Sequence, residues 1–337
     1  MVYVGGTTSS AFATIPEIQR AFVHTTFMQK TYFSETQKQA SEDDICVVYL
    51  SRYQDGGMLA LSRFLTSYVT HRPAIRHRLV VLLKGWEGAG HSEDAKSRIR
   101  TCGGELMTVP NTGFDWGSYF LASTNIKTDY FCFLNTHSRI LHSSWLEFLI
   151  RALHEPGVGL AGCTASYWSH VPDFRRILCN QLHSVQFRRK RSQQETPKRS
   201  LLTAIYAAIS LLFVFWQRQR HFDRFPNPHI RSNAFAVSSK VFSEFCQRRL
   251  IPRTKLDALR FESGHESLTH SQIKQGFKCV VVNSKGQVFD IKFAKDARTY
   301  STGDQELLMI EDNQTRLYAA ADTYKKRILE AMAWGSR

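Results

Sequence analysis

The chain has 337 residues, 43% of them hydrophobic and 22% charged, a composition ordinary for a soluble globular protein and long enough for a full core. Lys and Arg number 44 against 29 Asp and Glu, a formal net charge of +15, which points to an anionic partner: nucleotide phosphates, a nucleic acid or an acidic membrane surface. Seven cysteines (Cys46, Cys102, Cys132, Cys163, Cys179, Cys246 and Cys279) are scattered singly with no Cys-x-x-Cys, a pattern that argues against a disulfide framework and structural zinc and predicts buried, reduced thiols in a cytoplasmic protein.

The first residues carry no cationic segment leading into an apolar core, so no secretory signal is visible. Residues 1–43 read as a polar N-terminal arm. Ile45 to Leu50 is a first buried strand, and Ser51 to Gly57 a loop at its carboxyl end. Met58 to Val69 places Leu59, Leu61, Phe64, Leu65 and Tyr68 at near-helical spacing. Leu79 to Leu83 predicts a second strand, Glu93 to Arg100 a helix closed by Gly103-Gly104, and Leu106 to Val109 a third strand. Strand and helix alternating at this spacing predict a parallel sheet with crossover helices.

Asn111-Thr112-Gly113-Phe114-Asp115 then opens a short helix ending near Thr124. Asp115, close to its start, reads as a binding residue or simply as an N-cap. Tyr130 to Leu134 follows, an apolar run without alternation and so a strand buried on both faces. It stops abruptly at the polar quartet Asn135-Thr136-His137-Ser138. Ligand crevices of open α/β sheets lie at the carboxyl ends of strands. If the strand direction continues, Asn135 and His137 share a face there; an ordinary polar turn is the plainer alternative.

Ser143 to His154 predicts a helix and Val158 to Ala161 a strand. From Phe174 the texture changes: Arg188-Arg189-Lys190-Arg191 and Lys198-Arg199 precede Leu201 to Trp216, sixteen uncharged residues followed by Arg218 and Arg220. Sixteen is short of the roughly twenty apolar residues of a span. This stretch reads as a helix lying in an anionic membrane interface or as a plain buried helix. Binding of nucleic acid is disfavoured, for lack of a recognisable module.

Beyond it come a rigid loop from Phe225 to Asn233, a strand from Ala234 to Val237, and a helix from Val241 to Cys246. A further helix opens after Glu262 to Ser267 and stops at Gly276, and a hairpin runs from Phe277 to Ile291. A C-terminal helix from Leu317 to Trp334 would pack through Leu317, Ala321, Tyr324, Ile328 and Met332. The organisation is thus an arm (1–43), a first half (44–173), a helical insertion (174–221), a second half (222–292) and a tail (293–337).

The order of these parts resembles a GT-A-type glycosyltransferase, more narrowly the bacterial family-2-like and rhamnan-synthesis-F-like proteins of surface-polysaccharide synthesis. The resemblance covers roughly residues 43–290 and rests on Cys46 to Leu50 with its loop, on Asn111, Gly113 and Asp115, and on the strand Phe131 to Leu134. It implies a GT-A-like, Rossmann-like α/β fold with a mostly parallel sheet, a nucleotide-diphosphate sugar as donor, and a glycan acceptor. It implies location in the cytoplasm, with residues 188–220 as a possible peripheral contact with the membrane.

The resemblance also implies site roles. Asp115 would hold the nucleoside or sugar, with Asn111 and Ser51 in the same pocket; Asn135 and His137 would sit at the diphosphate; Glu262 or Glu266 would be the base. Arg231 would pair with phosphate, or else with an internal carboxylate. Where the family carries Asp-x-Asp, this chain has Asn135-Thr136-His137. Mg2+ or Mn2+ is normally held there by hard carboxylate oxygens, and imidazole suits Mn2+ better than Mg2+. A metal held through His137 and Asn135, metal-free stabilisation by Arg and Lys, and a silent binding domain all remain open. A dinucleotide-dependent oxidoreductase is disfavoured, since no Gly-x-Gly-x-x-Gly follows the first strand.

Overall fold

In the computed structural model of the chain, the structure describes residues 45–171, 210 and 214–335. The expected arm, the cationic cluster at 188–191 and most of the apolar stretch 201–216 lie outside the described residues. At the end of that stretch Val214 and Trp216 are both exposed. Among the described residues no helix is long and apolar enough to cross a membrane.

The first strand, β1 (Ile45–Arg52), is buried from Ile45 through Ser51. Its apolar run has no solvent side because it lies inside the sheet, between β2 (Arg78–Lys84) and β4 (Tyr130–Leu134), parallel to both. β3 (Glu105–Val109) pairs parallel with β2 at the edge. Crossover helices α1 (Gly57–Thr70), α2 (Ser92–Thr101) and α3 (Phe114–Asn125) join these four strands. Further along are a short strand β5 (Arg139–Ile140), helix α4 (Trp145–Leu153), and strands β6 (Val158–Gly162), β7 (Ala165–Ser166), β8 (His229–Ile230) and β9 (Ala234–Ser238).

Among the described residues the main sheet has eight strands, completed by β10 (Lys278–Val282) and β11 (Val288–Asp290), in the order β11-β10-β6-β9-β4-β1-β2-β3. β9 runs antiparallel between β4 and β6, and β10 and β11 form the expected hairpin at the far edge. This is an α/β fold with a mostly parallel, Rossmann-like sheet flanked by helices. The chain fills β1, β2 and β3 in one direction and returns to β4 on the opposite side of β1. That reversal parts the loops above β1 and β4 and leaves a crevice between them.

Each face of the sheet carries its own core. One is aromatic: Trp116 and Phe120 of α3 meet Phe235 of β9, Phe242 and Phe245 of α5 (Ser239–Gln247) and Phe261 of α6 (Lys255–Ser263). Ring centroids around Trp116 lie 5.8 to 6.4 Å away, the offset and edge-on spacing aromatic pairs prefer. The other face packs Tyr49, Phe64 and Tyr68 against Trp86, Trp145 and Leu149. Among the described residues six cysteines are free, five of them buried; burial pushes the thiol of Cys46 up to about 12.

Two expectations differ from the structure. Glu262, expected in the loop leading into a helix, lies instead near the end of a preceding helix, α6, whose start is fixed by a capping box between Thr254 and Asp257. The tail is two helices rather than one, α8 (Asn313–Ala319) and α9 (Thr323–Trp334), after a short strand β12 (Ile310–Glu311). Asp322 caps α9 by accepting the Lys325 N–H. That cap breaks the helical phase, so Tyr324 and Ile328 are exposed and α9 packs through Ala333 and Trp334.

Candidate functional site

A polar cleft of about 370 Å3 lies at the carboxyl ends of β1 and β4. Its floor is the turn after β4. The Thr136 hydroxyl accepts the Arg52 N–H at 3.2 Å, and its carbonyl accepts the Tyr49 hydroxyl at 2.9 Å. From the opposite side, the Asn135 N–H donates to the Asn233 carbonyl at 3.1 Å. The turn is therefore bolted to β1 and to the start of β9. The strand ends at Leu134 and does not continue in direction. Instead Asn135 Oδ1 accepts the His137 N–H at 3.0 Å, with the Ser138 hydroxyl at 3.1 Å, an Asx turn. Asn135 and His137 still both line the cleft, with buried Thr136 between them.

Asp115 comes from the first turn of α3, whose N-cap is Gly113 (φ 76) and not Asp115 itself. Phe114 between them is also left-handed, at φ 52, a conformation that costs a bulky L-residue about 1–3 kcal/mol. Gly113 is required twice over: a Cβ there would lie 2.9 Å from Ile251 and 3.0 Å from Gly117. Burial raises the carboxyl pKa of Asp115; Lys84 and Arg52 oppose the rise, and the carboxylates of Asp55 and Glu262 add to it.

Glu262 borders the same cleft, and its Oε1 accepts the Ser232 hydroxyl at 3.0 Å. Glu266 is not among the cleft residues. Its carboxylate is 2.6 Å from the Arg260 guanidinium and its side chain is exposed, because it sits in the turn before α7 (Leu268–Lys274) rather than on a helix facing the site.

Arg231 lies at the cleft but is committed inward. Nη2 is 2.7 Å from Asp312 Oδ2, Nη1 donates to Thr164 Oγ1, and the guanidinium lies 4.0 Å from the Tyr300 ring centroid. Burial disfavours its charge, but Asp312, Tyr300 and Glu262 outweigh burial and hold its pKa above the ordinary value. Burial would raise Asp312; Arg231 and the Thr315 N–H reverse this and hold it below the usual carboxylate range. The internal-carboxylate alternative for Arg231 is thus the one present.

Two other residues named from the sequence stand apart from the cleft. Ser51 is buried in β1; its carbonyl accepts the Trp86 indole N–H at 2.9 Å, and its hydroxyl has no partner among the described residues. Asn111 is exposed and packs against Gly85, where a Cβ would be 3.3 Å from the Asn111 side chain.

Sequence reading missed Arg52, Asp55, Lys84, Lys255 and Asp312. Arg52 and Lys255 are cations of the cleft, and Arg52 is braced by Asp55 at 3.1 Å. Lys84 left a signal: it is the lone charge at the end of the apolar run Leu79 to Leu83. Asp312 left none, being 81 residues from the arginine it pairs with.

The donor set does not fit a divalent ion held by the protein. Asn135 Oδ1 is already taken up in the turn, and the described residues contain no group of three or more His, Cys, Asp or Glu arranged to hold a metal.

The fold and site define an α/β protein with a polar cleft at its sheet's switch point. No family model matches the chain, and no curated protein matches it. Solved structures that align with parts of it include 4-diphosphocytidyl-2C-methyl-D-erythritol synthase from Anaerococcus prevotii, at 11% identity and TM-score 0.37 over 65% of this chain and 81% of that one. A fragment of TarS from S. aureus in complex with UDP-GlcNAc aligns at 11% identity and TM-score 0.29, over 36% of this chain and 34% of that one. A mannosyltransferase from Pyrobaculum calidifontis in complex with GDP-Man and Mn2+ aligns at 14% identity and TM-score 0.30, over 41% and 39%. Likenesses this shallow carry no function across.

Proposed function

We propose that the protein is a glycosyltransferase that moves a sugar from a nucleotide-diphosphate donor to a glycan acceptor in the synthesis of a bacterial surface polysaccharide. The observation that carries this reading is one cleft at the switch point that gathers Asp115, the Asn135–His137 turn and Glu262 from three separate segments. Those are the positions where the sequence resembles the donor and base sites of GT-A enzymes.

The demanding step is departure of the diphosphate from the anomeric carbon, which needs charge stabilisation on the leaving group and a base for the acceptor hydroxyl. Arg52 and Lys255 are the cleft cations suited to the diphosphate, since Arg231 is spent on Asp312. His137 lines the same cleft and would contact the diphosphate in this reading. Glu262 is the base in this reading, held in place by the Ser232 hydroxyl. Asp115 accepts hydrogen bonds from the nucleoside or sugar. No step is routed through a metal.

Calorimetric titration with a panel of nucleoside diphosphates, with and without Mn2+, tests the donor site. One nucleotide should bind saturably, and His137→Ala should weaken it by about ten-fold, the loss of one charge-assisted contact. Glu262→Gln should lower turnover by roughly 100-fold or more while leaving that binding intact. Absence of binding by folded wild-type protein would sink the reading. A second reading, a catalytically silent domain that binds nucleotide or glycan, is favoured by the Asn135 side chain being used up in the turn. Saturable nucleotide binding by wild type with no sugar transfer to any acceptor would select it, whereas unchanged turnover in Glu262→Gln would remove Glu262 as the base.

A further inference from the structure

Lys84 is the last residue of β2 and is 1% exposed. A lysine so buried needs partners for its ammonium group, and here every hydrogen-bond partner lies within residues 112–118, the turn before α3 and the helix's start. Nζ donates to the Thr112 carbonyl at 2.7 Å, to the Phe114 carbonyl, and to the Ser118 hydroxyl at 3.1 Å. The Ser118 hydroxyl in turn donates to the Phe114 carbonyl at 3.3 Å. The turn held in this way is the left-handed pair Gly113-Phe114, and the next residue is Asp115. Strained backbone at a site persists only when its surroundings over-determine it. The three contacts of Lys84 supply that determination from beneath, while the Lys255 ammonium lies over the Phe114 ring at 5.9 Å from above.

We propose that Lys84 is the positioning residue of the cleft: its ammonium clamps the left-handed Gly113-Phe114 turn and thereby fixes Asp115 in the cleft wall. The clamp is independent of what the cleft binds; its consequence for a nucleoside diphosphate rests on the function proposed above. Burial lowers the Lys84 pKa to about 8, opposed by Asp115. The other charged groups facing it are Arg52 at the end of β1 and Asp55 in the following loop. Lys84 is not among the residues that line the cleft and acts only through the turn.

Two substitutions separate a clamp from a space-filling stem. Lys84→Met keeps the length and apolar stem but has no donor, whereas Lys84→Arg keeps donors at greater bulk. Amide hydrogen exchange of residues 112–118 is the first measurement, with amides of β1 and β4 as internal reference. In Lys84→Met, exchange of the turn should rise by about ten-fold or more while the reference amides stay near wild type. Lys84→Arg should restore part of the protection. Equal exchange in wild type and Lys84→Met, or Lys84→Arg exchanging faster than Lys84→Met, overturns the clamp. Should both variants fail to fold, Ser118→Ala, which removes the Lys84–Ser118 contact together with the Ser118–Phe114 hydrogen bond, is read in the same way: a selective rise in the turn supports the clamp, and an unchanged turn overturns it.

The second measurement is affinity for the nucleoside diphosphate that wild type binds best, across pH 7 to 9.5. Lys84→Met should bind about ten-fold more weakly, with a flatter pH profile than wild type. If wild type binds no nucleoside diphosphate but exchange of the turn depends on Lys84, the clamp stands and the proposed function falls.

Discussion

At the residue scale, Arg231 illustrates how one partner decides a side chain's role. Its loop, Phe225 to Asn233, makes a phosphate-binding arginine a fair expectation, and the guanidinium does reach the cleft. Asp312 takes it instead, at 2.7 Å and with both groups buried. Asp312→Asn keeps the oxygen that caps α8, where Oδ1 accepts the Gln314 and Thr315 N–H groups, but leaves Arg231 as an uncompensated buried charge. We expect a loss of about 3–5 kcal/mol in urea unfolding at neutral pH. The folded carboxyl pKa of Asp312 lies below its ordinary 3.8. Its contribution is therefore fully present above that value and lost as pH falls through the folded pKa. The gap between wild type and Asp312→Asn should narrow on acidification below pH 4; a gap that stays constant would show the charge is immaterial.

At the scale of elements, helices α3 and α9 mark the extremes of what a local pattern can tell. The aromatic residues Trp116, Tyr119 and Phe120 give α3 a core face at helical spacing, and the structure buries all three. For α9 the same kind of pattern misleads. Tyr324 is 76% exposed and Trp334 only 8%, because Asp322 restarts the helix and its far end is held by the core. The Trp334 indole donates to the Tyr300 carbonyl at 2.9 Å, and the Ala333 carbonyl accepts the Tyr167 N–H at 2.8 Å. Trp334→Ala should cost about 3–5 kcal/mol, while Tyr324→Ser should stay within roughly 0.5 kcal/mol of wild type. Thermal unfolding of the two variants checks this, and a reversed order would contradict the packing.

At the scale of the whole molecule, the sheet binds distant parts of the chain into one surface. β9 enters antiparallel between β4 and β6, so Asn233 at its start meets the turn after β4. The cleft therefore forms only when both halves of the sheet are assembled, and its acids and cations are coupled to folding. Lys84 makes that coupling measurable. Its folded pKa of about 8 is depressed from the ordinary 10.5, so between these values the unfolded chain holds a proton that the folded chain does not. Stability should accordingly gain a contribution that grows from pH 8 toward 10.5. In denaturant titrations the difference between wild type and Lys84→Met should shift in favour of wild type across that window; a pH-independent difference would mean that Lys84 does not titrate there.

What the sequence determined by itself was the set of buried strands, their alternation with helices, and the polar break at Asn135. These follow from uninterrupted apolar runs and helical periodicity, which are local properties. It also brought forward Asp115, His137 and Glu262, residues that the structure gathers at one cleft. Only the tertiary structure decided that Glu266 turns to Arg260, that Arg231 is paired by Asp312, and that Lys84 lies beneath the turn carrying Asp115. Each of those outcomes depends on which charge is nearest after folding. Partners far apart along the chain leave no periodicity to read, and the strength of their interaction is set by a burial that exists only once the sheet has closed around them.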